Sequence, residues 1–351
     1  MSKEQWGVNG VLHDVKKGIV CFRICCDFLI LIIIILSPLI VVPYLSGYSF
    51  SISVAEAHSA TIPVGKTPFG IEYNPSNDNI YVANSESSTV SVISGSTNAV
   101  IDTILVGRYP TWLEFVPSNN QIYVTNRESS DTYVINSLTN EVDKAIDVGG
   151  FPVGLGYDPD DNFLYVGSLG DNTLSVIDAS TDSVVSNILL FGETTSDSFS
   201  YIAYSSINDA LYVSRVDDNV VSVINAVTNA HVKDIAIFSP FGIAYNPVNH
   251  NLYVASADSN QVFVIDPITN SIVDNIPVGN FPVDVVYNPV DNNMYVTNHL
   301  SDTVSVINST ANSVIATIPA GPAPAGITFD SSNQHLYIAN YASNTVTMIH
   351  P

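Results

Sequence analysis

Seven tandem copies of a strand-rich repeat of about 42 residues, four short apolar runs in each copy, and ends of the array that complement one another predict an all-β protein. The architecture expected from them is a seven-bladed β-propeller of four-stranded antiparallel blades, closed by the N-terminal strand completing the last blade.

The repeat is visible as a tetrapeptide. Tyr81-Val82-Ala83-Asn84 returns at Tyr123, Tyr165, Tyr212, Tyr253, Tyr295 and Tyr337, at separations of 42, 42, 47, 41, 42 and 42 residues. Residues 58–351 number 294, seven times 42. In the first copy the apolar runs are Phe69–Tyr73, Asn79–Ala83, Thr89–Ile93 and Val100–Val106, separated by clusters of Asn, Ser, Asp, Pro and Thr. Runs this short, rich in Val, Ile and Tyr and bounded by turn formers, read as strands. No part of 58–351 carries a helical period of useful length.

The ends of the array favour a ring over a solenoid. The seventh copy stops at Pro351, after its third run, Thr345–Ile349. Ser59–Val64 precedes the first copy and matches fourth runs such as Ser313–Ala320. Closure would satisfy sheet edges that an open array leaves bare.

The tetrapeptide, with Val-Gly-x-x-Pro before it and Val-Ser-Val-Ile after it, resembles the YVTN β-propeller repeat family, which includes archaeal surface-layer-type proteins. The resemblance spans about residues 59–351. It implies that the tyrosine packs between blades and that the asparagine caps a turn at a strand end. Ser168, Arg215 and Ser256 replace that asparagine in copies three to five.

Residues 1–57 form a separate N-terminal export segment. Lys16, Lys17 and Arg23 precede an apolar core, 28–45, and Ala55-Glu56-Ala57 offers a small-residue cleavage site. The order is that of a secretory signal. The length of the run is also near the roughly 20 residues of a spanning helix. Cleavage after Ala57 and a retained anchor both place the body at the cell surface or outside the cell. Cys21, Cys25 and Cys26 are the only cysteines, so the body has neither disulfide nor thiolate metal site.

The net charge is -23 and lies wholly in 58–351. Such a body repels phosphate backbones, which excludes nucleic acid as a partner. A cell-envelope protein, a glycan or a small ligand fits better, with membrane contact only through the N-terminal segment. Charged residues are only 12% of the chain, about half the usual share, so Ser, Thr, Asn and Asp cover the surface.

Candidate site residues are those that break the repeat at one end of the ring, the end where blade links and the turns after second strands meet; it is called the top below. Trp112, Tyr201 and Asp284 stand where the other copies have Gly70, Gly154, Gly242 and Gly326. Two residues further on, Glu72 and Glu114 stand where the others have Gly156, Ala203, Ala244, Val286 and Thr328. Lys66 and Arg108 lie in the links, and Arg127, His299 and Tyr341 follow the tetrapeptide. The one long insertion, near Glu193–Ser200, belongs to the same end. Convergent polar groups at a channel mouth make a candidate ligand site, and paired carboxylates are capable of acid–base chemistry. Pairing of Glu72 and Glu114 with Lys66 and Arg108 is the structural alternative, as channel packing is for Trp112 and Tyr201.

No set of catalytic residues stands out, no histidine cluster suggests a metal, and no cofactor is implied. Asp158, Asp160 and Asp161 share a turn that offers Ca²⁺ weak ligands, without calcium-loop spacing. The expectation is a non-catalytic binding, adhesion or cell-envelope module. The alternative is an exported propeller enzyme, a lactonase, lyase or quinoprotein-type oxidoreductase, with its site at the top mouth.

Overall fold

In the computed structural model, which describes residues 59–190 and 201–351, seven four-stranded antiparallel sheets follow one another. The first blade comprises Pro68–Asn74, Asn79–Asn84, Thr89–Ser94 and Ala99–Leu105, in that spatial order. Blades two to six repeat it. In the seventh, Ser59–Pro63 pairs antiparallel with Thr345–Ile349, Ser59 opposite Ile349 and Pro63 opposite Thr345. That sheet therefore takes its outermost strand from the start of the described chain.

The export segment, its cysteines, the Ala57 cleavage site and the 193–200 insertion lie outside the described residues. Among the described residues no helix is long and apolar enough to cross a membrane.

Turn chemistry sets the strand lengths. Asp78 and Asn98, at the two turns of blade one opposite the top, have φ of 58° and 54°, and Asn or Asp recurs at most equivalent positions. Their short polar side chains tolerate the left-handed region at low cost. Side chains alternate between the two faces of each sheet, and both faces are buried against neighbouring blades. Tyr81, Ala83, Val90 and Val92 of blade one pack with Leu113, Phe115, Ile122 and Val124 of blade two. On the other face, Ile71, Tyr73, Ile80 and Val82 pack with Tyr337, Ala339, Val346 and Met348 of blade seven, and with Ile62.

The repeated tyrosines are fully buried at the bottom, the end opposite the candidate site, and latch blades to their neighbours, except that Tyr295 donates to Asp291 of its own blade. The Tyr81 hydroxyl lies 3.2 Å from Asn140 Oδ1 of blade two, and Asn77 Nδ2 donates to the Ser137 carbonyl at 2.7 Å. Tyr212 meets Asn270 and Tyr253 meets Asn312 in the same way. The Tyr337 hydroxyl donates to Asn98 Oδ1 at 2.5 Å, and Asn333 Nδ2 donates to the Gly95 carbonyl at 3.0 Å. Those two bonds join blade seven to blade one.

The last residue of the tetrapeptide acts differently from a turn cap. Asn84 Nδ2 donates to the hydroxyls of Thr89 and Ser91 on the third strand of its own blade. Asn298 and Asn340 make the matching pairs with Thr303 and Ser305 and with Thr345 and Thr347. The link glycine covers each asparagine: a Cβ on Gly65 would sit 2.6 Å from Asn84 Cγ, and Gly107, Gly279 and Gly321 are equally tight over Asn126, Asn298 and Asn340. Where Arg215 replaces the asparagine, it instead pairs with Asp218.

Candidate functional site

The innermost strand of each blade begins at the top and runs down the central channel. Near its start most blades carry a register shift, between Pro68 and Ile71 in blade one and between Pro110 and Leu113 in blade two. The position inside this irregularity divides the blades into two kinds. Blades one, three, five and seven have glycine there, and blades two, four and six have Trp112, Tyr201 and Asp284.

A second position tracks the first. Blades two, four and six carry a hydroxyl as third residue of the tetrapeptide, whereas the glycine blades have Ala83, Gly167, Ala255 and Ala339. The hydroxyls accept the inner-strand amides. Trp112 N–H donates to Thr125 Oγ1 at 3.1 Å, Tyr201 N–H to Ser214 Oγ at 2.8 Å, and Asp284 N–H to Thr297 Oγ1 at 3.0 Å. Thr125 and Thr297 pass the bond on to the Val153 and Ala325 carbonyls of the next blade, at 2.8 and 2.7 Å. The glycines give the bulky residues room. A Cβ on Gly70 would lie 2.9 Å from Trp112 Cα, and one on Gly242 2.7 Å from Asp284 Cα. Both separations are too short for real side chains, so glycine and bulky blades interlock at the mouth.

The aromatic departures join residues of ordinary repeat positions in a closed circuit. Phe69 contacts Trp112 at a centroid distance of 6.2 Å, Trp112 contacts Tyr201 at 4.7 Å, and Tyr201 contacts Phe241 at 6.2 Å. Phe281, His299 and Tyr341 follow at 5.6, 6.0 and 5.9 Å, and Tyr341 returns to Phe69 at 6.3 Å. Phe69, Tyr201 and Phe241 are buried and Trp112 is half-buried. Edge-on contacts of this kind add to the apolar burial. His299 Nδ1 lies 3.2 Å from the Pro324 carbonyl, a contact that needs the proton on that nitrogen. Burial pushes the His299 pKa down, which favours the neutral ring.

The acids gather in the channel. Glu72 and Glu114 lie opposite Tyr81 and Tyr123 in register. Both are deep in the protein, although each keeps partial solvent contact. Burial pushes the Glu72 carboxyl well above the usual range, and the nearby charges of Glu114 and Asp284 push it further. Burial lifts Glu114 to about 8. Asp284 is 5% exposed, and burial raises it to about 7 against the pull of two backbone donors. Those donors are Val285 N–H at 2.8 Å and, from blade seven, Ile327 N–H at 3.0 Å. Asp284 thus holds two blades together. The Tyr201 hydroxyl is buried with no hydrogen-bond partner among the described residues, and burial together with the charge of Asp284 raises its pKa strongly.

The structure therefore brings together Glu72, Trp112, Glu114, Tyr201, Asp284 and His299. Lys66 and Arg108 stay on the exposed links. Arg108 Nη2 donates to the Glu128 carbonyl at 2.9 Å, and its amide donates to Ser129 Oγ. Among the described residues ion pairs form at Arg215–Asp218 and His231–Asp234, and none reaches Glu72 or Glu114. The expected carboxylate pairing with Lys66 and Arg108 is absent there, because those side chains leave the link toward solvent. Arg127 stacks between the rings of Tyr109 and Phe151, 5.8 and 6.0 Å from their centroids.

Among the described residues no group of three His, Cys, Asp or Glu side chains is placed to hold a metal ion. Asp158, the candidate calcium ligand, instead accepts the Asp160 and Asp161 amides in a tight turn, and Asp160 accepts the Tyr204 hydroxyl at 2.7 Å.

Fold and channel define a seven-bladed propeller with a modified mouth. Solved structures share the fold at low identity. One is hydrazine synthase from Kuenenia stuttgartiensis, 20% identical, covering 81% of this chain and 96% of that one, with a TM-score of 0.70. Another is a catalytically inactive variant of virginiamycin B lyase from Staphylococcus aureus with quinupristin, 15% identical, covering 84% and 99%, with a TM-score of 0.70. A streptogramin B lyase is 14% identical, covering 83% and 96%, with a TM-score of 0.71. At these identities the likeness concerns the fold alone. No protein-family model matches the chain, and no curated protein does.

Proposed function

We propose that this chain is an exported or cell-surface propeller of the YVTN type that acts as a non-catalytic binding, adhesion or cell-envelope module. The carrying observation is the closed aromatic circuit at the channel mouth. Its rings pack on one another, which leaves little ring surface for a small substrate. His299, the one histidine in that circuit, is bonded to a backbone carbonyl rather than to a candidate nucleophile. On this reading the partner is a cell-envelope protein, a glycan or a small ligand, and the N-terminal segment delivers the body to the outside.

An exported enzyme is the second reading, and one observation favours it. A carboxyl with a pKa of about 8, Glu114, is suited to proton transfer near neutral pH. Two measurements separate the readings. Protease treatment of intact cells should release propeller peptides, and their survival until lysis would contradict surface exposure. The purified protein should not turn over quinupristin or simple lactones. Turnover that Glu114→Gln abolishes would establish the enzyme and overturn the binding role.

A further inference from the structure

We propose that the cleft between blades two and three binds a guanidinium group, free in solution or carried on an arginine side chain of a partner. The cleft holds about 320 Å³, near the lower end of ligand-pocket volumes. It is lined by Asp147 and Gly149, from the last strand of blade two and the link that follows, and by Asp171, Thr173, Ser175 and Asn187 of blade three. No basic side chain is among its lining residues.

Blade three departs here from the other blades. In blades one, six and seven an asparagine nitrogen donates to two hydroxyls of the third strand, as Asn84 does to Thr89 and Ser91. Blade two replaces those hydroxyl residues with Asp131, which accepts from Asn126, and Tyr133. Blade five replaces them with Gln261 and Phe263, and its Ser256 hydroxyl donates to the Phe238 carbonyl. Blade three keeps both hydroxyls, Thr173 and Ser175, but sets the shorter Ser168 before them. Ser168 is 3% exposed, and its hydroxyl has no partner among the described residues. That hydroxyl lies 2.8 Å from where a Cβ on Gly149 would stand, and Ser168 faces Thr173 in register, so it is aimed into the cleft. A buried hydroxyl left unbonded is costly.

Blade four shows what suits such a place. Its asparagine position is taken by Arg215, whose Nη1 donates to Ser222 Oγ at 3.3 Å and whose guanidinium pairs with Asp218. By position in the repeat, Ser175 corresponds to Ser222 and Asp171 to Asp218. Asn187 accepts from Ser175 at 2.9 Å, as Asp234 accepts from Ser222 at 2.7 Å. Blade three thus presents the acceptors of blade four with a serine in place of the arginine. Asp171 is held in position by the Gly150 amide, which donates to its Oδ1 at 2.9 Å. The planar fork of a guanidinium suits a carboxylate beside hydroxyl acceptors, and Asp147 adds a second acid to the lining. The walls come largely from third and fourth strands, away from the channel, so the site stands whether or not the protein is catalytic.

The test is a calorimetric titration of the full chain with Nα-acetyl-arginine methylamide. The citrulline analogue, uncharged and of the same shape, is the control. The arginine probe should bind roughly tenfold or more tightly than the control. Ser168→Asn, which installs the asparagine of blades one, six and seven, should abolish binding, and Asp171→Asn should weaken it by roughly the same factor. Equal binding of the two probes, or no binding of either, would overturn the proposal. So would arginine binding that either substitution leaves unchanged, which would show attraction to the acidic surface as a whole. Should Ser168→Asn fail to fold, Asp171→Asn decides alone. Free arginine, titrated in parallel, separates the two sources. It binds more tightly than the blocked probe if the ligand is a small molecule, and less tightly if it is the side chain of a partner.

Discussion

The two ends of the propeller are built on opposite principles. At the bottom, one device recurs in every blade but the sixth: a buried tyrosine with a partner in the neighbouring blade's turn, from Tyr81 with Asn140 to Tyr337 with Asn98, while Tyr295 bonds Asp291 of its own blade. At the top, glycine blades alternate with bulky ones up to the junction of blades seven and one, where two glycine blades meet. The bottom teaches that repetition closes the ring. The top teaches that departures from repetition are accommodated in pairs, Trp112 with Thr125 and Asp284 with Thr297, each beside a glycine of the preceding blade.

The comparison is broken most severely at the closing blade. Deleting residues 58–66 removes the strand opposite Thr345–Ile349 and buried Ile62, and bares a sheet edge. Loss of cooperative unfolding or outright aggregation is expected in thermal melts, with a lower Tm as the mildest outcome. Tyr337→Ala attacks the same junction from the bottom. It empties a fully buried site and breaks the bond to Asn98, and should cost about 3–5 kcal/mol in denaturant unfolding.

Much of this was legible in the sequence. Seven tetrapeptides and their turn clusters placed the strands of blade one to within about a residue at either end, and the unpaired third run at the C-terminus pointed to Ser59–Val64. The site was only partly legible. Trp112, Tyr201, Asp284, Glu72 and Glu114 stood out because they break a pattern, and the structure gathers them. Phe69, Phe241 and Phe281 did not stand out: Phe69 and Phe241 share the position just before the inner-strand glycine, and Phe281 holds the position before its proline, both ordinary positions of the repeat. Only curvature of the ring joins them to Trp112 and Tyr201. The alternation of Thr125, Ser214 and Thr297 with Ala or Gly was visible in principle. Its meaning required the inner-strand amides that those hydroxyls satisfy. The expected Lys66 and Arg108 partnership failed for a simple reason: proximity along the chain does not fix the direction of a long exposed side chain.

A smaller effect sharpens the comparison at the top. Thr125→Val removes the acceptor of the Trp112 amide and the donor to the Val153 carbonyl, leaving both buried and unmatched. The cost should be about 1–3 kcal/mol. Ala83→Ser, which adds a hydroxyl at the matching position of a glycine blade, should show no comparable gain. A gain equal to the Thr125→Val loss would remove the distinction between the two kinds of blade. The smallest effect belongs to the links. Lys66→Ala and Arg108→Ala should each change stability by no more than about 0.5 kcal/mol, since both side chains are exposed.

The central claim is that the departures at the top assemble one buried, proton-bearing acid cluster. A carboxyl held above its unfolded value binds its proton more tightly in the folded protein. Its contribution to stability is full below pH 4.5 and is lost as pH climbs through about 8. The most direct measurement is a titration of ¹³C-labelled glutamate carboxyls from pH 4 to pH 9.5 in low-salt, metal-free solution, with Glu114→Gln assigning the resonance. The account predicts that Glu114 stays protonated at pH 7 and titrates near 8, and that stability falls over the same range. A Glu114 resonance that titrates near 4.5, with stability level from pH 6 to pH 9, would contradict it.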